Sequence, residues 1–143
     1  KLHHIFIATL ALFAAIVAAG CDAGGGPTLS APEAFTKAQA GEVTLIDIRT
    51  PREWRQTGVA EGALTIDMTK KTFVTEILDA VDGDKDAPIA IICRTGNRTT
   101  YSQKALQEMG FSRVYNVKEG MSGSGAGPGW VRRGLPVDGC QTC

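Results

Sequence analysis

One stretch near the middle of the chain most constrains the fold. Residues 89–92 read Ile-Ala-Ile-Ile, a continuous apolar run typical of strands buried on both faces of a parallel sheet. Cys93 follows, then a short polar loop, and then a helical pattern that ends before Gly110, a residue type that commonly ends helices. The stretch predicts a strand–loop–helix unit of an α/β domain. The residues expected on the packed face of the helix are Tyr101, Ala105, Leu106 and Met109.

The position of Cys93 makes it a candidate nucleophile. Ligands of parallel α/β sheets bind at the carboxyl ends of the strands, where loop N–H groups and a helix N-terminus favour an anion. Such surroundings favour the thiolate, which is the reactive form of cysteine. The alternative is an inert, small core side chain. Arg94 and Arg98 flank Gly96 in this loop, and two cations suit an anion better than they suit packing.

Three segments in order along the chain resemble the rhodanese family of sulfurtransferases. The run Cys-Arg-Thr-Gly-Asn-Arg-Thr at 93–99 resembles the active-site loop of that family. Residues 45–54, Leu-Ile-Asp-Ile-Arg-Thr-Pro-Arg-Glu-Trp, resemble its Asp-x-Arg…Glu-aromatic signature. Segments 115–121 and 130–137 are similar to its closing part. Together the resemblance covers residues 28–138.

The resemblance implies a single domain over residues 29–138. Its fold would be a three-layer α/β arrangement, with a central, mainly parallel five-stranded sheet and helices on both faces. Cys93 would be the catalytic residue. The loop expected to hold substrate and persulfide comprises Arg94, Thr95, Gly96, Asn97, Arg98 and Thr99. Arg94 and Arg98 would orient an anionic donor. The residues expected to brace the sheet edge beside the site are Asp47, Arg49 and Glu53.

The activity that the resemblance implies is sulfur transfer. The Cys93 thiolate would take the outer sulfur of thiosulfate or a similar donor and become a persulfide. The sulfur would then pass to a thiophilic acceptor, which is cyanide in an assay and a thiol or a protein in the cell. We expect a monomer that needs no metal or other cofactor. Two alternatives stay open: a persulfide carrier or binding module, and a phosphatase or arsenate reductase on the same scaffold.

Charge and histidine content exclude other functions. The chain has 15 basic and 15 acidic residues and no basic stripe, so we expect no nucleic-acid binding. The two histidines are His3 and His4, so the domain cannot form a Cys-His dyad. Four residues separate Cys93 from Arg98, whereas loops of the protein-tyrosine-phosphatase type have one more. A tighter loop suits one terminal sulfur better than a phosphoryl group.

The beginning of the chain predicts export. Residues 1–20 carry a terminal charge, an apolar run and small residues, which is typical of a signal peptide. A permanent membrane anchor is the alternative, but the run is short for a span. The small residues before Cys21 resemble a bacterial lipobox, so we expect lipid on Cys21. Residues 21–28 would be a Gly-rich tether, and the protein would be periplasmic, with a membrane anchor at Cys21.

The C-terminal tail, residues 139–143, contains Cys140 and Cys143 in a Cys-x-x-Cys pattern. A redox pair, half a zinc site and a disulfide all fit this spacing. A zinc site would need about two more ligands than this motif provides, and a thioredoxin-like site needs a helix after the motif. We therefore favour a disulfide that has no part in turnover.

The Gly-rich segment 122–129 also allows two interpretations. It is either a flexible surface loop or a mobile rim beside the Cys93 pocket, because loops after parallel strands gather at that edge. We expect Trp130 to pack rather than to bind.

Overall fold

The computed structural model describes residues 25–143. The signal peptide at 1–20 and the lipid site at Cys21 lie outside the described residues and stay predictions. Within residues 25–143, no helix has both the length and the apolar character that a membrane crossing requires.

The secondary structure alternates between strands and helices, as expected for an α/β fold. The helices are α1 (Ala31–Gln39), α2 (Pro51–Thr57), α3 (Phe73–Ala80) and α4 (Asn97–Glu108). The strands are β1 (Thr44–Asp47), β2 (Val59–Ala60), β3 (Leu64–Thr65), β4 (Ile89–Ile92), β5 (Val114–Asn116) and β6 (Val137–Asp138). A parallel sheet has the order β3-β1-β4-β5, and β2 pairs antiparallel with β6. The α/β class is confirmed.

The sheet has four strands rather than the expected five. Thr28 makes a single parallel bridge to Asn116 at the edge beside β5. The Asn116 N–H donates to the Pro27 carbonyl at 3.0 Å, and the Leu29 N–H donates to the Asn116 carbonyl at 3.0 Å. This pairing cannot lengthen, because Ser30 caps the first helix immediately afterwards. Pro27 and Thr28, which we expected in the tether, are therefore joined to the sheet.

Ser30 and Glu33 form a capping box at the start of helix α1. The Ser30 side chain accepts a hydrogen bond from the Glu33 N–H, and the Glu33 carboxylate accepts one from the Ser30 N–H at 2.8 Å. Pro32 lies in the first turn, where its missing N–H costs nothing. This reciprocal capping box satisfies two otherwise unpaired N–H groups and fixes where the chain leaves the sheet edge.

Strand β4 is buried on both faces, as its unbroken apolar run predicts. Ala90 and Ile92 join a cluster that includes Trp130 and residues of α1. Ile89 and Ile91 join a second cluster on the other face, with Leu106 of α4. Trp130 is fully buried and its indole N–H donates to the Pro136 carbonyl at 2.8 Å, so the expectation that it packs is confirmed.

The buried face of α4 differs from the expected one. Tyr101 is 73% exposed and Met109 is 49% exposed, so their assignment to the core is wrong. The buried residues of the helix are Thr99, Ser102, Gln103 and Leu106. Gln103 can be buried because its amide donates to the carbonyls of Pro27 and Val114 at 2.8 and 2.7 Å. Burial of a polar side chain costs little when hydrogen bonds replace its water.

Candidate active site

Cys93 directly follows β4 and is 1% exposed. Its Sγ accepts a hydrogen bond from the Gly96 N–H at 3.2 Å and lies 3.6 Å from Thr99 Oγ1. The chain therefore turns sharply after the strand, and the sulfur lies against the first turn of α4. Gly96 is the one loop residue whose N–H donates to the sulfur in the part of the chain that the structure describes.

Gly96 is required by the shape of this turn. Its φ is +84°, in the left-handed region that other residues rarely adopt. A Cβ at this position would overlap the carbonyl group of Lys118 on the neighbouring loop. The Gly96 carbonyl accepts hydrogen bonds from the hydroxyls of Thr99 and Thr100 at 3.0 and 2.8 Å. Glycine thus lets the backbone approach the next loop while anchoring the start of α4.

The loop after β5 holds the other side of the Cys93 loop. The Cys93 carbonyl accepts from the Met121 N–H at 2.8 Å, and the Arg94 carbonyl accepts from the Ser122 N–H at 2.9 Å. These bonds join the two loops beyond the ends of β4 and β5. Thr95, Gly96 and Asn97 line a cleft of about 390 Å³ together with Lys118 and residues 124–126. The Gly-rich segment therefore lies beside the Cys93 loop, as the rim hypothesis predicts for its position.

Asp47 and Arg49 form a buried ion pair at the carboxyl end of β1. Arg49 Nε lies 2.9 Å from both carboxylate oxygens of Asp47. The same guanidinium donates to Thr57 Oγ1 and to the Gly58 carbonyl, each at 2.7 Å. Arg49 therefore joins the end of β1 to the end of α2, which is the arrangement that a bracing role requires.

Glu53 pairs with Arg98 and not with the Asp47–Arg49 pair. Arg98 Nη1 donates to Glu53 Oε2 at 2.8 Å, and Nη2 donates to Oε1 at 2.5 Å. The hydrogen bonds from Arg98 lower the pKa of Glu53 to about 2, although partial burial opposes this shift. The pKa of Arg98 is raised by the hydrogen bond to Glu53 and by the nearby negative charges of Glu53, Cys93 and Asp47.

The Glu53–Arg98 pair changes the expected role of Arg98. The bidentate pair uses two of the five N–H donors of Arg98, offsets its charge and fixes its orientation toward Glu53. The pair instead joins α2 to α4, and so fixes the helix that carries Thr99 against the helix beside the site. We therefore assign Arg98 to bracing, and Arg94 remains the loop arginine available to a donor.

The Glu53–Arg98 pair should make stability depend on pH in acid. In the unfolded chain Glu53 titrates near its ordinary pKa of 4.5, whereas in the folded chain it stays ionised down to about pH 2. The pair therefore contributes fully above about pH 4.5, and its contribution is lost as the pH falls toward about 2. We expect Glu53→Gln to flatten the free energy of unfolding across this range, measured by urea denaturation.

The matched control for this measurement is Glu108→Gln, which removes an exposed carboxylate at the end of α4. Its curve should follow that of the unaltered protein. Equal slopes for Glu53→Gln and the unaltered protein would contradict the prediction.

Glu119 is a buried acid to which the sequence analysis gave no role. Its carboxylate accepts from the Ala31 N–H at 2.6 Å, from the Gly129 N–H at 2.8 Å and from Arg133 Nε at 2.8 Å. Burial alone would raise the pKa of Glu119, but the hydrogen bonds from Arg133 and the two backbone groups leave it below the ordinary value. Glu119 thus ties α1 to the loop that flanks Cys93. An acid three residues after the end of a buried strand was the available signal.

The structure joins Cys140 to Cys143 by a disulfide, and Cys93 is the free cysteine of the described residues. Arg55 of α2 donates to the Cys143 carbonyl, which holds the tail against that helix. The sequence analysis favoured this bond, and its lack of a part in turnover stays a prediction.

Replacing both tail cysteines by serine should leave sulfur transfer unchanged within about 2-fold. The bond closes a very short loop, so the free energy of unfolding should fall by less than about 2 kcal/mol. Thiosulfate:cyanide kinetics and denaturation measure the two effects. Loss of the acceptor half-reaction alone would show that the pair takes part in turnover.

The geometry supports nucleophilic chemistry at a strand-to-helix turn. A buried thiol receives a backbone N–H, and its loop contributes residues to two recesses, one lined by Thr95, Gly96 and Asn97 and the other by Arg94. The arrangement can hold a covalent intermediate on sulfur while a neighbouring guanidinium binds an anion.

Comparisons with known proteins show the family of the chain. The model of the "Rhodanese-like domain" family matches residues 30–125. A protein named "Sulfurtransferase" from Allochromatium vinosum is 32% identical over 100 residues, which are 70% of this chain and 82% of that protein. Thiosulfate sulfurtransferase GlpE from Actinobacillus pleuropneumoniae is 30% identical over 95 residues, which are 66% of this chain and 77% of that protein.

A solved structure shows the same fold. The polysulfide-sulfur transferase homodimer from Wolinella succinogenes superposes with a TM-score of 0.60 at 28% identity. The match covers 81% of this chain and 80% of that one. The family model spans well over half of the chain and includes both the β1 signature and the Cys93 loop. The chain belongs to the rhodanese-like domain family.

Proposed function

We propose that the protein is a sulfurtransferase in which Cys93 carries the transferred sulfur. The observation that carries this proposal is the Cys93 Sγ at 3.2 Å from the Gly96 N–H, at the end of a buried strand. The thiolate attacks the outer sulfur of thiosulfate, the S–S bond of the donor breaks, and sulfite leaves with the bonding electrons. A thiophilic nucleophile then takes the outer sulfur, and the thiolate is restored.

The surrounding residues divide into two groups by their contacts. The Gly96 N–H donates to the sulfur and would stabilise negative charge on the persulfide. The Thr99 hydroxyl lies 3.6 Å from the sulfur, but its hydrogen is donated to the Gly96 carbonyl. The exposed Arg94 would attract the anionic donor. The bracing residues are Asp47, Arg49, Glu53 and Arg98.

The donor and acceptor are proposed from this chemistry and from the names of the relatives. Thiosulfate and cyanide serve as the assay pair, and a small thiol or a protein thiol serves as the cellular acceptor. A carrier that passes its persulfide to a partner protein would use the same Cys93 intermediate, and would differ only in its slow transfer to small acceptors.

The decisive experiment is mass spectrometry, of the intact protein and of its proteolytic peptides, after incubation with thiosulfate. We expect a mass increase of one sulfur atom on the peptide that contains Cys93, and its loss when cyanide is added. Cys93→Ser serves as the control. Absence of the adduct, together with hydrolysis of an aryl phosphate, would replace this proposal with the phosphatase alternative.

We also propose export with a lipid anchor at Cys21, on the strength of the sequence pattern at residues 1–21. Expressed in bacteria, the full chain should fractionate with membranes, and Cys21→Ser should release it or block its processing. An unmodified Cys21 in the soluble periplasmic fraction would leave plain secretion.

A further inference from the structure

Two adjoining spaces beside Arg94 together form what we call the recess. The smaller space, about 140 Å³, is lined by Arg49, Glu53, Gln56, Thr57, Arg94 and Ser122. The larger, about 390 Å³, is lined by Thr57, Met121, Ser122, Val131 and Arg132. The two spaces meet at Thr57 and Ser122. The larger space has the size of sites for organic ligands, about 300–1,000 Å³, and exceeds what a small inorganic anion needs.

The recess lies beside the backbone of the Cys93 loop. Met121, which lines the larger space, donates its N–H to the Cys93 carbonyl, and Ser122 donates to the Arg94 carbonyl. Arg94, the residue after Cys93, lines the smaller space together with Glu53. The two spaces are therefore joined to the end of β4 that carries Cys93.

Two guanidinium groups lie in these compartments without a carboxylate partner. Arg49 is occupied by Asp47, and Glu53 is occupied by Arg98. Within residues 25–143, the side chains of Arg94 and Arg132 form neither an ion pair nor a hydrogen bond. Every lining acid is neutralised, so the recess offers net positive charge at two separate places. A single inorganic anion would use one of them.

Apolar surface lies between the two charges. Met121 and Val131 line the larger space, and the Val131 N–H bonds the Met121 carbonyl at 3.1 Å, so the two residues are held side by side. Val131 is 48% exposed and supplies the accessible apolar surface of this space, because Met121 is 1% exposed. The recess thus combines a cation near Cys93, an apolar wall and a second cation at Arg132.

We propose that this recess binds an organic sulfane-sulfur donor whose leaving group carries a carboxylate, with Arg132 as the residue that recognises the carboxylate. The proposal rests on the sulfurtransferase function above and extends it to the donor. The sulfur end lies by Arg94, the organic body covers Val131, and the carboxylate reaches Arg132. For a thiosulfonate, the Cys93 thiolate takes the outer sulfur and an organic sulfinate leaves with the electrons of the broken S–S bond.

The test compares two thiosulfonates that share their reacting group. Methanethiosulfonate cannot reach Arg132, whereas 4-carboxybenzenethiosulfonate offers an aromatic body and a distal carboxylate. With cyanide as acceptor, the unaltered protein should show a KM about 10-fold lower for the carboxylated donor, because its carboxylate gains a charge-assisted hydrogen bond that methanethiosulfonate cannot make. Arg132→Ala should raise that KM about 10-fold and leave kcat and the KM for methanethiosulfonate within about 2-fold.

Two further variants separate recognition from general attraction. Arg132→Lys should fall between the unaltered protein and Arg132→Ala for the carboxylated donor. Arg113→Ala removes an exposed arginine just before β5 and should change neither KM. Arg113 lies at the amino end of its strand, whereas Cys93 follows the carboxyl end of β4. If Arg132→Ala changes both KM values equally, or neither, the compartment does not recognise the donor and the inference fails while sulfur transfer stands. If no donor, thiosulfate included, loads sulfur onto Cys93, the proposed function fails as well.

Discussion

Replacement of Cys93 by serine is expected to reduce thiosulfate:cyanide transfer by at least about 1,000-fold, to the uncatalysed level. A serine hydroxyl of similar size would keep the loop but is neither a thiolate nor able to form a persulfide. The loss should therefore be in kcat and should appear in both half-reactions. Release of sulfite from thiosulfate measures the first, and formation of thiocyanate from cyanide measures the second.

Stability provides the control for this substitution. Because the change is nearly isosteric, the free energy of unfolding should change by less than about 1.5 kcal/mol. Replacing Cys140 and Cys143 instead should preserve both half-reactions. Persistent sulfur loading in the Cys93→Ser protein would show that another residue takes the sulfur and would contradict the assignment of Cys93 as the nucleophile.

Gly96→Ala is expected to destabilise the protein by about 3 kcal/mol and to abolish most activity. A non-glycine residue at φ +84° is strained by about 1–3 kcal/mol, and the added methyl overlaps the backbone of Lys118. Relief requires the Cys93 loop and the loop after β5 to separate, which would move the N–H that contacts the sulfur. Urea denaturation and the loading of Cys93 measure the two consequences.

Gly125→Ala is the matched control, since it adds the same methyl group in the Gly-rich segment. A Cβ added at Gly125 would have no heavy atom within 4 Å, and the φ of Gly125 is not in the left-handed region. Its stability and its sulfur loading should stay near those of the unaltered protein. A Gly96→Ala protein with unchanged stability would show that the two loops do not depend on their close approach.

The order of the central elements could be predicted because local signals agree there. Every residue in the run that forms β4 is apolar, which predicts a strand buried on both faces, and Gly110 marks the end of the helix. Strand, loop and helix therefore follow from the local sequence alone. The buried face of α4 could not be predicted in this way. Gln103 is buried by hydrogen bonds to carbonyls of Pro27 and Val114, and an apolar periodicity gives no weight to a satisfied amide.

The partners within the site were equally inaccessible to sequence reasoning. The loop arginines were singled out as cations, but Arg98 binds Glu53 across 45 residues, and no local rule links the two positions. Arg132 lay in a segment noted for its resemblance and not for its charges. Charged side chains take their roles from whichever opposite charge the fold brings near, so their number is predictable from the sequence and their pairing is not.

Glu119 has a consequence for how the chain is made. Its carboxylate bonds the Ala31 N–H at the start of α1, 88 residues earlier in the chain, as well as the Gly129 N–H. During synthesis on the ribosome, the first helix of the domain must therefore wait for this partner until most of the chain has emerged. Helix α1 and the loop after β5 should accordingly become ordered together and late, so chains truncated before Glu119 should fail to protect α1 from proteases.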